Sequence, residues 1–176
     1  MPRPWTRCYE PHVPAALELP SALLSDRLVE NSRSFPTRAA TIYFGSRLTY
    51  RALNEAVDRF AAGLQQLGVV KGDRVALHLP NCPQYAIAYY GALRAGAIAV
   101  PCNPLYVARE LQHQLIDSGA KVAVVLSSFY NTLQSVRAST PLEHVIVANI
   151  KDYFPVGLKA AFTLLKSLRL IDFENI

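Results

Sequence analysis

Apolar and polar positions change period along this chain, and the changes mark out its elements. From Arg74 to Leu79 the period is two, with Val75, Leu77 and Leu79 on one side of a predicted strand. Pro80 and Pro83 close that strand and open a helix, with Asn81 as the predicted N-cap. Small and aromatic residues fill the helix (Ala86, Ala88, Tyr89, Tyr90, Gly91, Ala92), a surface able to lie close against a sheet. Gly96 stands just past its end, and Ala97 to Val100 is a short apolar run stopped by Pro101, the pattern of a buried parallel strand. Residues 72–106 therefore read as one complete βαβ unit.

The pattern continues on both sides. Residues 1–20, with Pro4, Pro11, Pro14 and Pro20, read as an extended arm. A helix is predicted over Ala22 to Ser32, capped by Ser21 or Ser25, with Leu24, Leu28 and Val29 as its buried stripe and Phe35-Pro36 as its stop. Ala39 to Phe44 and Arg47 to Tyr50 read as two strands paired across a Gly45-Ser46 turn. Thr49 is the predicted N-cap of a long helix, Arg51 to Leu67, with Leu53, Val57, Phe60, Ala61, Leu64 and Leu67 at helical spacing and Gly68 at its end. After the central unit come a helix from Ala108 to Ser118 (Leu111, Leu115 and Ile116 inward, Gly119 as cap), a strand from Lys121 to Leu126, a helix from Ser128 to Ala138 and a strand from His144 to Ala148. Strands alternating with helices at short spacing predict the α/β class, with a parallel sheet and right-handed crossovers, preceded by a short helix and β-hairpin.

The predicted organisation is an arm (1–20), an α/β subdomain (21–150) and a tail (151–176). In the tail a helix from Pro155 to Leu170 places Leu158, Ala161, Phe162, Leu165 and Leu168 on one face and Lys159, Lys166 and Arg169 off it, with no acidic residue between. Such a cationic amphipathic helix reads either as a connector packed on a neighbouring part of the protein or as a helix lying on a membrane surface.

Composition narrows the classes. The 176 residues are 51% hydrophobic, enough for one core and too apolar for a disordered chain. Net charge is +5, but the basic residues are spread, with no run that could track a phosphate backbone and no RNA-binding or zinc-finger spacing, which excludes nucleic acid as a partner. Three widely spaced cysteines (Cys8, Cys82, Cys102) and a start lacking a secretory apolar region predict reduced thiols and a cytoplasmic location. Tyr85 to Val100 is the nearest approach to a membrane span, and Arg94 and Gly96 interrupt it.

Candidate chemistry is sparse. No G-x-x-x-x-G-K-[ST], no G-x-G-x-x-G and no Ser/Thr/Gly-rich loop occurs. His12, His78, His113 and His144 lack metal-ligand spacing. His78 reads as a core histidine, and Cys82 and Cys102 as small buried residues. Ser127-Ser128 reads as a helix start, Asp73 as a turn residue bonding local backbone, and Glu110 as a cap or dipole partner in a first helical turn. No catalytic, cofactor-binding or metal-ligating residue is assigned.

Three stretches together, LTYRALN (48–54), KGDRVALHLPNCPQYAIAYYGALRAGAIAVPCNPLY (71–106) and ARELQHQLIDSGAK (108–121), resemble the N-terminal part of the AMP-forming acyl-CoA synthetase superfamily, most of all its bacterial long-chain fatty-acid–CoA ligases. The tail IKDYFPVGLKAAFTLLK is similar to the connector of the long-chain branch. The resemblance implies a fatty acid, ATP, magnesium and coenzyme A as substrates and cofactors of a full-length member, with acyl-adenylate as the intermediate. It departs from the family at Ala52, where a glutamate usually completes a capping box with Thr49, and at Val107-Ala108, where Thr-Pro often opens the helix. The family's phosphate loop, its adenine- and magnesium-binding segments and its C-terminal lid lie beyond the matched region, so no cofactor is expected on this chain alone. The implied reading is a truncated or split ligase that is inactive by itself. The alternative is a non-catalytic α/β module that joins a second subunit or completes a split ligase, and the tail allows a peripheral place on the inner membrane face.

Overall fold

The computed structural model of the chain describes residues 3–17 and 21–167; Pro20 of the predicted arm and Leu168, Arg169 and Leu170 of the predicted tail helix lie outside the described residues. In chain order the regular elements are α1 (Leu24–Ser34), β1 (Ala39–Tyr43), β2 (Ser46–Thr49), α2 (Tyr50–Gln66), β3 (Arg74–His78), α3 (Pro83–Arg94), β4 (Ile98–Pro101), α4 (Ala108–Ser118), β5 (Val122–Leu126), α5 (Tyr130–Arg137), β6 (His144–Ala148) and α6 (Val156–Ser167). Strands β4, β3, β5 and β6 lie side by side in that order, all parallel, and β1 and β2 form a separate antiparallel pair.

The alternation in β3 sorts the layers. Val75, Leu77 and Leu79 pack with Leu64 of α2 and Ala88 and Ala92 of α3, while Ala76 faces Leu111 and Leu115 of α4 and Leu133 and Val136 of α5. A strand buried on both faces must be apolar on both, and β5 (VAVVL) is buried throughout. Outside the α2–α3 layer, Leu28 of α1 joins Leu53, Val57 and Ile87 in a further cluster, against which Ala40 and Leu48 of the hairpin pack.

Several end signals hold and several shift. The Thr49 hydroxyl accepts from the Ala52 amide at 3.2 Å, as its N-cap role requires. Gly119 closes α4 at φ 59°, a left-handed conformation that costs a residue with a Cβ. Its neighbour across space is Arg74, which donates to the Ser118 and Gly119 carbonyls, each at 2.8 Å, and so satisfies the end of that helix. The first helix begins later than predicted, at Leu24. Neither Ser21 nor Ser25 caps it; the Asp26 carboxylate accepts from the Leu23 amide at 3.1 Å instead. Asn81 is not the N-cap of α3 either: Pro83 fixes the first helical position, which leaves Cys82 as the cap.

The hairpin turn is one residue earlier than the Gly45-Ser46 reading. Tyr43 pairs with Ser46, and the two-residue loop is Phe44-Gly45, at φ 48° and 83°. A two-residue loop that matches strand twist needs positive φ at both positions, and Phe44 accepts that conformation so that Ser46 can enter the ladder. The predicted buried strand after Gly96 is an edge strand: among the described residues β4 pairs with β3 alone, and Ile98 is 52% exposed. The arm contains a short 3-10 turn, Pro4–Cys8, in place of an extended run.

Candidate functional site

In a parallel sheet covered by helices on both faces, a crevice opens at the carboxyl ends of the strands where successive crossovers depart to opposite sides. Here that point lies between β3 and β5. Helix α3 carries the chain outward to β4 on one face, and α4 carries it back past β3 to β5 on the other.

His78 ends β3 at this edge and is 1% exposed. Its Nε2 lies 3.3 Å from the Pro104 carbonyl oxygen in the loop after β4, so Nε2–H is the donor, because a carbonyl only accepts. The ring stacks on Phe129 beyond β5, with centroids 5.3 Å apart. Nδ1 is buried with no hydrogen-bond partner among the described residues. Burial pushes the His78 pKa below the ordinary histidine value, although its bonds to the Pro104 and Asn103 backbone pull the other way. A neutral imidazole that locks the end of β3 to the segments after β4 and β5 is the core role the sequence predicts for it.

Gln84, in the first turn of α3, reaches the end of β6: its Nε2 donates to the Asn149 carbonyl at 2.7 Å, and its Oε1 is buried without a partner among the described residues. Cys82 and Cys102 are both buried beside this edge. Burial raises the Cys82 thiol, outweighing the amides of Tyr85 and Gln84, and pushes Cys102 up to about 11. Both are therefore thiols at neutral pH and weak nucleophiles. Ser127 opens a 3-10 turn ahead of α5, in keeping with a helix start. Between this edge and the hairpin lies an open cleft of about 240 Å³, lined by Thr41, Ile42, Tyr43, Cys82, Pro83 and Tyr85 among others.

Charged groups stand at both ends of the sheet. At the amino end of the sheet Asp73 accepts from the Val70 amide at 3.0 Å and pairs with Lys121 at 2.9 Å, so it does more than bond local backbone. The Val70 bond first, then Lys121, holds its carboxyl below the usual carboxylate range. Glu110 accepts from the Val107 amide at 3.1 Å, the cap its place in the first turn of α4 predicts. Sequence reasoning missed the His78–Pro104–Phe129 lock and the Gln84–Asn149 tie, since both join residues distant in the chain whose meeting depends on strand order. Around His78 the carboxyl edge thus offers backbone groups, amides, apolar walls and neutral thiols that can hold and shape a neighbouring group; among the described residues the charged groups that follow its strands are Arg109 and Glu110 at the start of α4 and Lys151 and Asp152 after β6.

Comparison with known proteins matches residues 28–163 to the family model described as AMP-binding enzyme. The chain is 35% identical over 174 residues to a long-chain-fatty-acid–CoA ligase of Bacillus subtilis, covering 98% of this chain and 31% of that protein. It is 44% identical over 154 residues to a ligase of the same description from Yersinia pestis, covering 86% of this chain and 27% of that one. Among solved structures, a long-chain-fatty-acid-CoA ligase from Archaeoglobus fulgidus superposes with a TM-score of 0.71 at 32% identity, over 76% of this chain and 28% of that chain. An anthranilate CoA ligase in complex with anthranoyl-AMP superposes with a TM-score of 0.69 at 25% identity, over 78% of this chain and 26% of that chain. The chain spans less than a third of the length of these relatives.

Proposed function

The chain belongs to the AMP-binding enzyme family, and on that premise we propose that it forms the N-terminal α/β portion of a long-chain fatty-acid–CoA ligase. In the complete reaction the fatty-acid carboxylate attacks the α-phosphorus of ATP and pyrophosphate leaves; the thiol of coenzyme A then attacks the acyl carbonyl and AMP leaves. Activation is needed because a carboxylate oxygen is a poor leaving group until it carries the adenylyl group. These 176 residues contribute scaffold and no catalytic, cofactor-binding or metal-ligating group, and alone they do not turn over. The observation that carries the reading is the alignment with long-chain ligases along 98% of the chain. The chemistry of the carboxyl edge agrees with it, because His78 is neutral and locked and both thiols are protonated. The test is a chimera in which this chain replaces the matching segment of the Bacillus subtilis ligase. Palmitate-dependent formation of acyl-CoA by the chimera is expected; a folded, soluble chimera without activity would contradict the proposal.

A second reading is favoured by the exposed edge strand β4: a non-catalytic module that joins another chain along that edge. Among the described residues no helix is long and apolar enough to cross a membrane. The location proposed is cytoplasmic with peripheral contact at the inner membrane face, supported by three free cysteines and the basic amphipathic pattern of the tail.

A further inference from the structure

Two stretches of the sequence carry basic residues and no acidic one: 31–54, with Arg33, Arg38, Arg47 and Arg51, and 153–171, with Lys159, Lys166 and Arg169. The whole chain has 18 basic and 13 acidic residues, so seven to none is a marked local departure. The fold brings these stretches together through aromatic rings. Phe154, just before α6, lies 5.0 Å from Phe44 at the hairpin tip, 6.0 Å from Tyr43 and 5.6 Å from Phe162 of α6. Among the described residues this ridge is exposed: Ile42 is 65% exposed, Phe44 63% and Val156 87%. Arg47 is the cross-strand partner of Ile42 and so stands beside it on the ribbon. Among the described residues, neither the four arginines nor Lys159 enters an ion pair. Asp152 is an exposed acidic neighbour at the start of the second stretch.

We propose that the hairpin tip and the start of α6 dock on an anionic lipid bilayer, with Ile42, Phe44 and Val156 entering the interface and Arg47 and Lys159 facing the head groups. Apolar groups ringed by unpaired cations match hydrocarbon beneath anionic head groups. A second copy of the chain fits less well, since it would set the same positive charges against each other. The inference rests on the peripheral location proposed above and is independent of catalysis.

The test is co-sedimentation of the full chain with phosphatidylcholine vesicles and with mixed phosphatidylcholine–phosphatidylglycerol vesicles, over a series of salt concentrations. Binding is expected to the mixed vesicles only and falls with salt. Each basic residue at the surface is worth about fivefold in partitioning, so R47E/K159E lowers it by at least about 25-fold. Phe44→Asn also lowers it; asparagine tolerates the positive φ of that position, and an unchanged urea midpoint and circular dichroism separate the loss from one of folding. Binding that survives both variants unchanged overturns the surface while leaving the peripheral location standing. No binding to either vesicle overturns both. Self-association in the absence of lipid that Phe44→Asn abolishes assigns the ridge to a second copy and likewise overturns the inference.

Discussion

Replacing Gly91 by alanine tests the contact that holds α3 against α2. In an open helix the change stabilises by about 1 kcal/mol, because glycine is the poorest helix former after proline. Here a Cβ at position 91 would stand 2.6 Å from Cδ1 of Phe60 and 3.3 Å from its Cβ and Cγ. The Cδ1 belongs to a ring that can swing, but the Phe60 Cβ is fixed to the backbone of α2. Relief therefore requires Phe60 to leave its rotamer or the two helices to part. Overpacking of this kind costs about 1–3 kcal/mol. The balance is a net loss of about 1 kcal/mol, read as a fall of about 0.5 M in the urea midpoint of the 176-residue chain. In a Phe60→Ala background Cγ and Cδ1 are gone, only the 3.3 Å approach to Cβ is left, and Gly91→Ala then recovers most of its helix-propensity gain. The coupling between the two sites is expected to reach about 1 kcal/mol or more. Equal stabilisation by Gly91→Ala in both backgrounds would refute the close approach of the two helices.

Other outcomes follow from the same structure. The His78 pKa is lowered from 6.5 on folding, so the unfolded chain binds more protons just below that pH; stability is full above it and falls as pH drops toward the folded value. His78→Leu removes that slope, and urea melts between about pH 7.5 and 5.5 that keep it would place the titration elsewhere. Ala52→Glu lets a carboxylate accept from the Thr49 backbone amide, the reciprocal half of the Thr49 cap, and adds about 0.5–1 kcal/mol in the same melts; an unchanged midpoint would contradict it. Under native conditions a maleimide labels the exposed Cys8 quickly, whereas Cys82 and Cys102 react only on unfolding; rapid labelling of two or three thiols would contradict their burial.

The fold was legible where two signals coincided. Around β3, α3 and β4 the hydrophobic period changed at the same places where proline and glycine punctuated the chain, and the parallel order of the strands followed from their alternation with helices. Signals resting on one residue were less secure. Asn81 is a good cap by type, but Pro83 sets the helix start and makes Cys82 the cap. Gly45 marked the hairpin turn, yet only pairing geometry shows that Phe44 is the other loop residue. The apolar run of β4 looks the same in sequence whether one or two strands flank it, so its place at the edge was hidden. At the carboxyl edge the histidine and cysteines were readable as buried groups; the lock from His78 to Pro104 and Phe129 was not, because it depends on which loops the strand order brings together. The ridge from Tyr43 to Phe162 was invisible for the same reason, although the acid-free tail already pointed to one half of it.

These residues are proposed as the scaffold of an acyl-CoA ligase, carrying none of its chemistry. The absence of that chemistry is tested most directly by incubating the purified 176-residue chain with palmitate, magnesium, ATP and coenzyme A and measuring AMP release. No palmitate-dependent AMP above background is expected from a chain that is folded by circular dichroism. Steady AMP release that requires palmitate would contradict it.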